Sequence, residues 1–104
     1  MTSYVQDKNL TIALSGEIDH HKARELMQSV SRKIDEYLPR RCCLDFRDVS
    51  FMDSSGIAVV IHGIRRMREL DGTLILKNVR PQPMKILLAA GMERVVEIER
   101  GIPV

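Results

Sequence analysis

Cys42–Lys77 has the sequence CCLDFRDVSFMDSSGIAVVIHGIRRMRELDGTLILK, in which the spacing of the apolar residues changes twice. The short, mostly apolar run Cys42–Phe46 predicts a buried central β-strand. Over Ile57–Asp71 the apolar residues recur every three or four positions, which predicts an amphipathic helix that Gly72 closes. Thr73–Lys77 is short and apolar again and predicts the next strand. The stretch therefore predicts a strand–helix–strand unit, for which a right-handed crossover is expected.

The sequence before this unit begins with a predicted β-hairpin. Apolar stretches around Tyr4–Val5 and over Leu10–Leu14 are separated by Asp7-Lys8-Asn9, a group of polar residues typical of a turn. Gly16 and Asp19 then interrupt the strand pattern, so we expect the second strand to end near Leu14.

A helix is predicted between the hairpin and the central strand. Over His20–Leu38 the apolar side chains recur at three- and four-residue spacing, which gives the helix one apolar face. Asp19 is placed to cap the first turn of this helix, and Pro39 stops it.

The C-terminal part of the chain predicts three further segments. They are a loop, a short helix ended by Gly91, and a last strand: Asn78–Pro83, Met84–Ala90 and Val95–Ile98. The complete order is β-β-α-β-α-β-α-β. This order predicts an α/β fold with a mixed sheet of about five strands and helices packed against it.

Length and charge restrict the function. A chain of 104 residues has room for one core, so a single domain over residues 1–104 is predicted. With 16 Lys and Arg against 14 Asp and Glu, and only two Tyr and two Phe, we expect no nucleic-acid ligand. No apolar run approaches the roughly 20 residues that span a bilayer, and the N-terminus does not resemble a signal peptide. We therefore expect a cytoplasmic protein without a membrane partner.

The cysteines and histidines do not form a recognisable reactive site. Cys42 and Cys43 are adjacent and point to opposite faces of the predicted strand, so we expect them to be buried and inert. His20 and His21 are also adjacent and cannot share a helix face, and His62 lies in mid-helix beside an apolar residue. We predict no metal site, no cofactor and no catalytic residue.

The segment Asp53-Ser54-Ser55-Gly56 places two hydroxyls and a glycine at a predicted strand-to-helix junction. The first turn of a helix has unpaired N–H groups and the positive end of the helix dipole. A side chain at this point commonly caps the helix, and a phosphate would be stabilised by the same groups. The segment has neither the lysine of a P-loop nor a Gly-x-Ser-x-Gly elbow. Spacing alone leaves the capping and phosphate-bearing roles open.

Three segments follow one another in a recognisable order: Leu14–Asp19 (LSGEID), Asp45–Gly56 (DFRDVSFMDSSG) and Leu87–Ile98 (LLAAGMERVVEI). Together they resemble the STAS family of bacterial anti-sigma factor antagonists, also called anti-anti-sigma factors. The similarity extends over about residues 10 to 98. The motifs SGEIDHH and FMDSSG are most similar to the sporulation branch, whose partner is the anti-sigma F factor.

The resemblance implies a regulator that is not an enzyme. In its unphosphorylated form such a protein binds an anti-sigma factor that is also a serine kinase, and a sigma factor is released for transcription. The serine that this kinase phosphorylates corresponds to Ser54, and a dedicated phosphatase reverses the reaction. Asp53, Ser55 and Gly56 correspond to the other residues of the motif that meets the partner. A monomer or a weak dimer is expected.

Other functions remain open at this point. A stress-response antagonist competes with the sporulation type, and the genes adjacent to this one would distinguish them. A STAS module that binds a small ligand or nucleotide is the alternative from another class, and tight nucleotide binding without a kinase would indicate it. An enzyme would show hydrolase turnover that Ser54→Ala abolishes.

Overall fold

A computed structural model of the chain describes residues 2–101. Within these residues the elements are β1 (Thr2–Gln6), β2 (Asn9–Ile18), α1 (His20–Tyr37), β3 (Arg41–Met52), α2 (Ser55–Glu69), β4 (Thr73–Val79), α3 (Pro81–Ala89), a 3₁₀ turn (Met92–Arg94) and β5 (Glu97–Arg100). The strands form one sheet in the order β1-β2-β3-β4-β5. The predicted α/β class, the mixed sheet and the order of the elements are confirmed.

The sheet begins with the predicted hairpin. β1 and β2 are antiparallel, whereas β2, β3, β4 and β5 are parallel to their neighbours. Asp7 and Lys8 connect β1 to β2 with φ angles of 52° and 66°. Positive φ at both central residues is typical of the two-residue turns whose twist matches that of the flanking strands.

The three helices cover one face of the sheet. Their buried side chains form a single cluster with alternate residues of β2, β3 and β4, among them Ile12, Leu44 and Leu76. Cys42 belongs to this cluster and Cys43 does not, although both are buried. Cys43 pairs instead with Thr11 and Ile75 on the other face. The prediction that the two cysteines are buried on opposite faces is therefore confirmed.

Two strands are longer than predicted. β2 continues through Gly16 to Ile18, and β3 continues past Arg47 to Met52. The pairing of β2 with β3 contains two register shifts on either side of Gly16, whose φ is 79°. Glycine adopts this left-handed conformation without steric cost. The irregularity at Gly16 is therefore a bulge that bends β2, and the pairing of β2 with β3 continues beyond it.

The sequence predicted the start of α1 correctly but assigned the wrong role to the glycine after α2. Asp19 caps α1 as predicted, because its carboxylate accepts a hydrogen bond of 2.9 Å from the backbone N–H of Lys22. α2 ends at Glu69, and the left-handed residue after it is Asp71, with a φ of 55°, not Gly72. Gly72 is required for space, since a Cβ there would lie 2.7 Å from the carbonyl oxygen of Arg40.

The predicted loop Asn78–Pro83 is wrong. β4 continues to Val79, and α3 begins at Pro81. Proline is tolerated in a first helical turn because the N–H groups there have no acceptor within the helix. The last strand also begins later than predicted, at Glu97, because the 3₁₀ turn brings the Val96 N–H to the Met92 carbonyl oxygen at 3.0 Å. Among residues 2–101, no helix is long and apolar enough to cross a membrane.

Candidate functional site

The motif Asp53–Gly56 lies at the edge of the sheet where the parallel strands end. β3 ends at Met52 and α2 begins at Ser55, so the two residues between them form the whole connection. The backbone N–H of Asp53 donates a hydrogen bond of 3.1 Å to the carbonyl oxygen of Ile18, the last residue of β2. The carboxyl edge of parallel strands is where functional sites of α/β folds are usually found.

Asp53 caps α2. Its Oδ1 accepts a hydrogen bond of 2.8 Å from the backbone N–H of Ser55, and its carbonyl oxygen accepts one of 3.1 Å from Gly56. Ser54 occupies the N-cap position with φ of −62° and ψ of −18°, and its side chain makes no capping bond. The cap is therefore supplied by the carboxylate and not by a hydroxyl.

The two serines differ in accessibility. Ser54 is exposed, whereas Ser55 is half-buried in the first turn of α2. Within the part of the chain that the structure describes, the Ser54 hydroxyl has no hydrogen-bond partner. A hydroxyl that is exposed and makes no intramolecular bond can be modified without loss of a contact in the fold.

Gly56 is buried against the end of β3. A Cβ on Gly56 would lie 2.2 Å from Cγ and 2.3 Å from Sδ of Met52, whose side chain is fully buried. The φ angle of Gly56 is not among the positive values in residues 2–101, so the requirement for glycine comes from this close approach.

Gln82 holds the same strand end and was not identified from the sequence. Its Oε1 accepts a hydrogen bond of 2.8 Å from the backbone N–H of Met52, and its Nε2 donates one of 2.9 Å to the Met52 carbonyl oxygen. Gln82 lies in the first turn of α3, in the segment predicted to be a loop, so no sequence signal indicated this contact.

Cys42, Cys43 and His62 are poorly suited to chemistry or have a structural partner, whereas His20 and His21 begin α1 just after Ile18, the β2 residue bonded to Asp53. Burial raises the pKa of the Cys42 thiol to about 12 and that of Cys43 to about 11, which makes both poor nucleophiles. His62 of α2 is half-buried, and its Nε2 is hydrogen-bonded to the Ser31 hydroxyl of α1. In residues 2–101, no three His, Cys, Asp or Glu side chains are close enough to hold a metal ion.

The fold and the site define a small α/β domain whose distinctive feature is an exposed serine at a helix start. The STAS domain profile matches residues 1–102, and the chain belongs to the STAS domain family. Its relatives include members named anti-sigma F and anti-sigma-B factor antagonists, which confirms the resemblance seen in the sequence. These members are regulators.

Three comparisons define this relationship. The chain is 30% identical over 93 residues to the anti-sigma F factor antagonist of Paenibacillus polymyxa, and the match covers 86% of this chain and 76% of the relative. The anti-sigma factor antagonist SpoIIAA in its unphosphorylated form has a TM-score of 0.79 and 26% identity, over 93% of this chain and 85% of SpoIIAA. The Bacillus cell fate determinant SpoIIAA in the phosphorylated form has a TM-score of 0.68 and 28% identity, over 91% and 86% of the two chains.

Proposed function

We propose that this protein is an anti-sigma factor antagonist controlled by phosphorylation of Ser54. In its unphosphorylated form it binds an anti-sigma factor that is also a serine kinase, and a sigma factor is released to permit transcription. It acts in the cytoplasm by binding and not by catalysis, as a single domain over residues 1–104. Its partners are this kinase and a phosphoserine phosphatase. The names of its relatives support the first part of the proposal.

The observation that carries the proposal is the environment of the Ser54 hydroxyl. It is exposed at the start of α2, and its neighbours already have backbone hydrogen bonds that do not involve it. Ser55 is less accessible to a kinase because it is half-buried. A relative of the same fold, SpoIIAA, is known in unphosphorylated and phosphorylated forms.

Phosphorylation at this position should weaken binding to the kinase while leaving the fold intact. A phosphate adds a charge of about −1.5 to −2, which the N-terminus of α2 tolerates because the helix dipole is positive there. In a complex the same charge, beside Asp53, must be desolvated or must face a carboxylate of the partner. Either of these disfavours binding. A loss of only ~1.4 kcal/mol weakens binding tenfold.

The test uses the cognate anti-sigma factor kinase from the same organism, with ATP. Trypsin releases Ser54 and Ser55 together in the peptide Asp48–Arg65, because no Lys or Arg lies between Arg47 and Arg65. Tandem mass spectrometry of this peptide is expected to find one phosphate on Ser54. Ser50→Ala is the matched control, because Ser50 is an exposed serine of the same peptide outside the motif, and this variant should be phosphorylated like the wild type.

Binding to the same kinase, measured by calorimetry or pull-down, tests the second half of the proposal. Ser54→Ala should bind as the unmodified protein does and should accept no phosphate. Ser54→Asp should remain folded and bind at least tenfold more weakly. Equal binding by the two variants, or a phosphate found only on Ser55, would contradict the mechanism.

A further inference from the structure

The Gln82 side chain bonds to the backbone at the end of β3, at a position where β3 has no neighbouring strand on the β4 side. β4 pairs with β3 only as far as Lys77 opposite Asp45, so it does not reach Met52. The Asp53 N–H points towards β2, where it bonds to Ile18. Since successive backbone groups of a strand point to opposite sides, the N–H and C=O of Met52 point away from β2. Both of them bond to the carboxamide of Gln82, which acts as the peptide group of an absent neighbour.

The backbone around Gln82 is restrained. Pro81 and Pro83 flank it in the first turn of α3, and each proline fixes its own φ angle. Pro83 is buried, and Met84 after it belongs to the core. The Gln82 side chain therefore extends from a restrained backbone, and the residues that follow it are packed in the core.

The contact lies two residues before the candidate phosphorylation site. Met52 is bonded to Gln82, Asp53 to Ile18, and Ser55 to the Asp53 carboxylate. Ser54 thus lies between residues whose backbone groups are all hydrogen-bonded: those before it to α3 and β2, and the one after it to the Asp53 carboxylate. Of these restraints, only the bonds to Gln82 come from α3.

We propose that Gln82 is a positioning residue for Ser54. By fixing both backbone groups of Met52, it sets the direction in which the chain leaves β3 and so the orientation of the Ser54 hydroxyl towards the kinase. The proposal rests on the function proposed above for Ser54. A small misorientation of reacting groups can reduce a rate by a factor of about 100.

Two variants remove the contact in different ways. Gln82→Ala deletes the carboxamide. Gln82→Glu keeps the size of the side chain and an acceptor for the Met52 N–H, but it places a carboxylate oxygen against the Met52 carbonyl oxygen. Lys85→Ala is the control, because Lys85 is an exposed residue of the same helix.

Amide hydrogen exchange tests the positioning without a partner. We expect the amides of Met52, Asp53 and Ser55 to exchange at least tenfold faster in both Gln82 variants than in the wild type and in Lys85→Ala. Amides in the middle of α1 should be unchanged, which shows that the variants remain folded. Unchanged protection of Asp53 and Ser55 would overturn the proposal, whether or not Ser54 is a kinase substrate.

Steady-state phosphorylation by the anti-sigma factor kinase tests the consequence. We expect kcat to fall at least tenfold in both Gln82 variants while KM changes less than threefold, since a solely stabilising residue would leave both constants of the folded protein unchanged. A wild-type kcat in variants whose loop exchanges faster would overturn the role of Gln82. A wild-type protein that is not phosphorylated on Ser54 would instead contradict the proposed function, and the exchange experiment would still decide the positioning.

Discussion

Gly56→Ala should destabilise the protein through a single clash. The added Cβ would lie 2.2 Å and 2.3 Å from two atoms of Met52, and the Met52 side chain is fully buried. Overpacking of a filled core costs about 1–3 kcal/mol. Alanine is a better helix former than glycine by up to about 1 kcal/mol, but Gly56 is only the second residue of α2, so little of this is recovered. We expect a net loss of about 1–2 kcal/mol in the free energy of unfolding.

Gly63→Ala is the matched control on the same helix. A Cβ there would lie 3.2 Å from Cδ2 of Leu74, a contact that a shift of a few tenths of an ångström relieves. Gly63 is in mid-helix, so the gain in helix propensity offsets this cost, and the net change should stay within about 0.5 kcal/mol.

Urea unfolding followed by far-UV circular dichroism measures both variants. With a slope of about 1–1.5 kcal/mol per molar urea, Gly56→Ala should lower the midpoint by about 1 M and Gly63→Ala by less than about 0.5 M. Equal midpoints for the two variants would refute the reasoning, because Met52 would then have room to move that the structure does not show.

Two further predictions concern α1 and the sheet. The bond from Lys22 lowers the pKa of Asp19 below its usual value, so the stability from this cap is present above about pH 4 and lost as the pH falls through the lowered pKa. The urea midpoints of Asp19→Ala and the wild type should therefore differ at pH 7 and converge as the pH falls below the lowered pKa, and a constant difference would contradict this cap. Cys42 and Cys43, with pKa values raised by burial to about 12 and about 11, should not react with a disulfide reagent at pH 8 until the protein is unfolded. Rapid reaction of either thiol in the folded protein would show that it is not buried.

The order of the elements could be predicted from the sequence because it depends on local periodicity. The hairpin, the strand–helix–strand unit and the cap at Asp19 all have signals within a few residues of one another. The strand lengths could not be predicted, since the bulge at Gly16 interrupts the alternation of apolar residues while the backbone pairing continues. The prolines of α3 were misassigned because a first helical turn and a loop accept proline equally well.

The position of the candidate site could also be predicted, but not the roles of its residues. The segment before α2 contains two hydroxyls, a carboxylate and a glycine. These residue types indicate the start of a helix, but they do not show which of them caps it or which can be modified. That Asp53 caps the helix and that Gly56 avoids Met52 depends on the angle at which α2 leaves β3. Gln82 lies 30 residues from Met52 in the sequence, and only the folded chain brings them together.

The division of roles within the motif gives a physical reason why the proposed phosphorylation of Ser54 would change binding without changing the fold. If a serine hydroxyl capped α2, phosphorylation of that serine would change a hydrogen bond on which the helix start depends. Here the cap is the Asp53 carboxylate, and the close packing is at Gly56. Ser54 is left with an exposed hydroxyl that makes no hydrogen bond in the described part of the chain. The formal charge of the chain is only +2, so one phosphate at about −1.5 to −2 nearly cancels it. Its larger effect is local, because the whole added charge lies at a helix start whose structure does not depend on the residue that carries it.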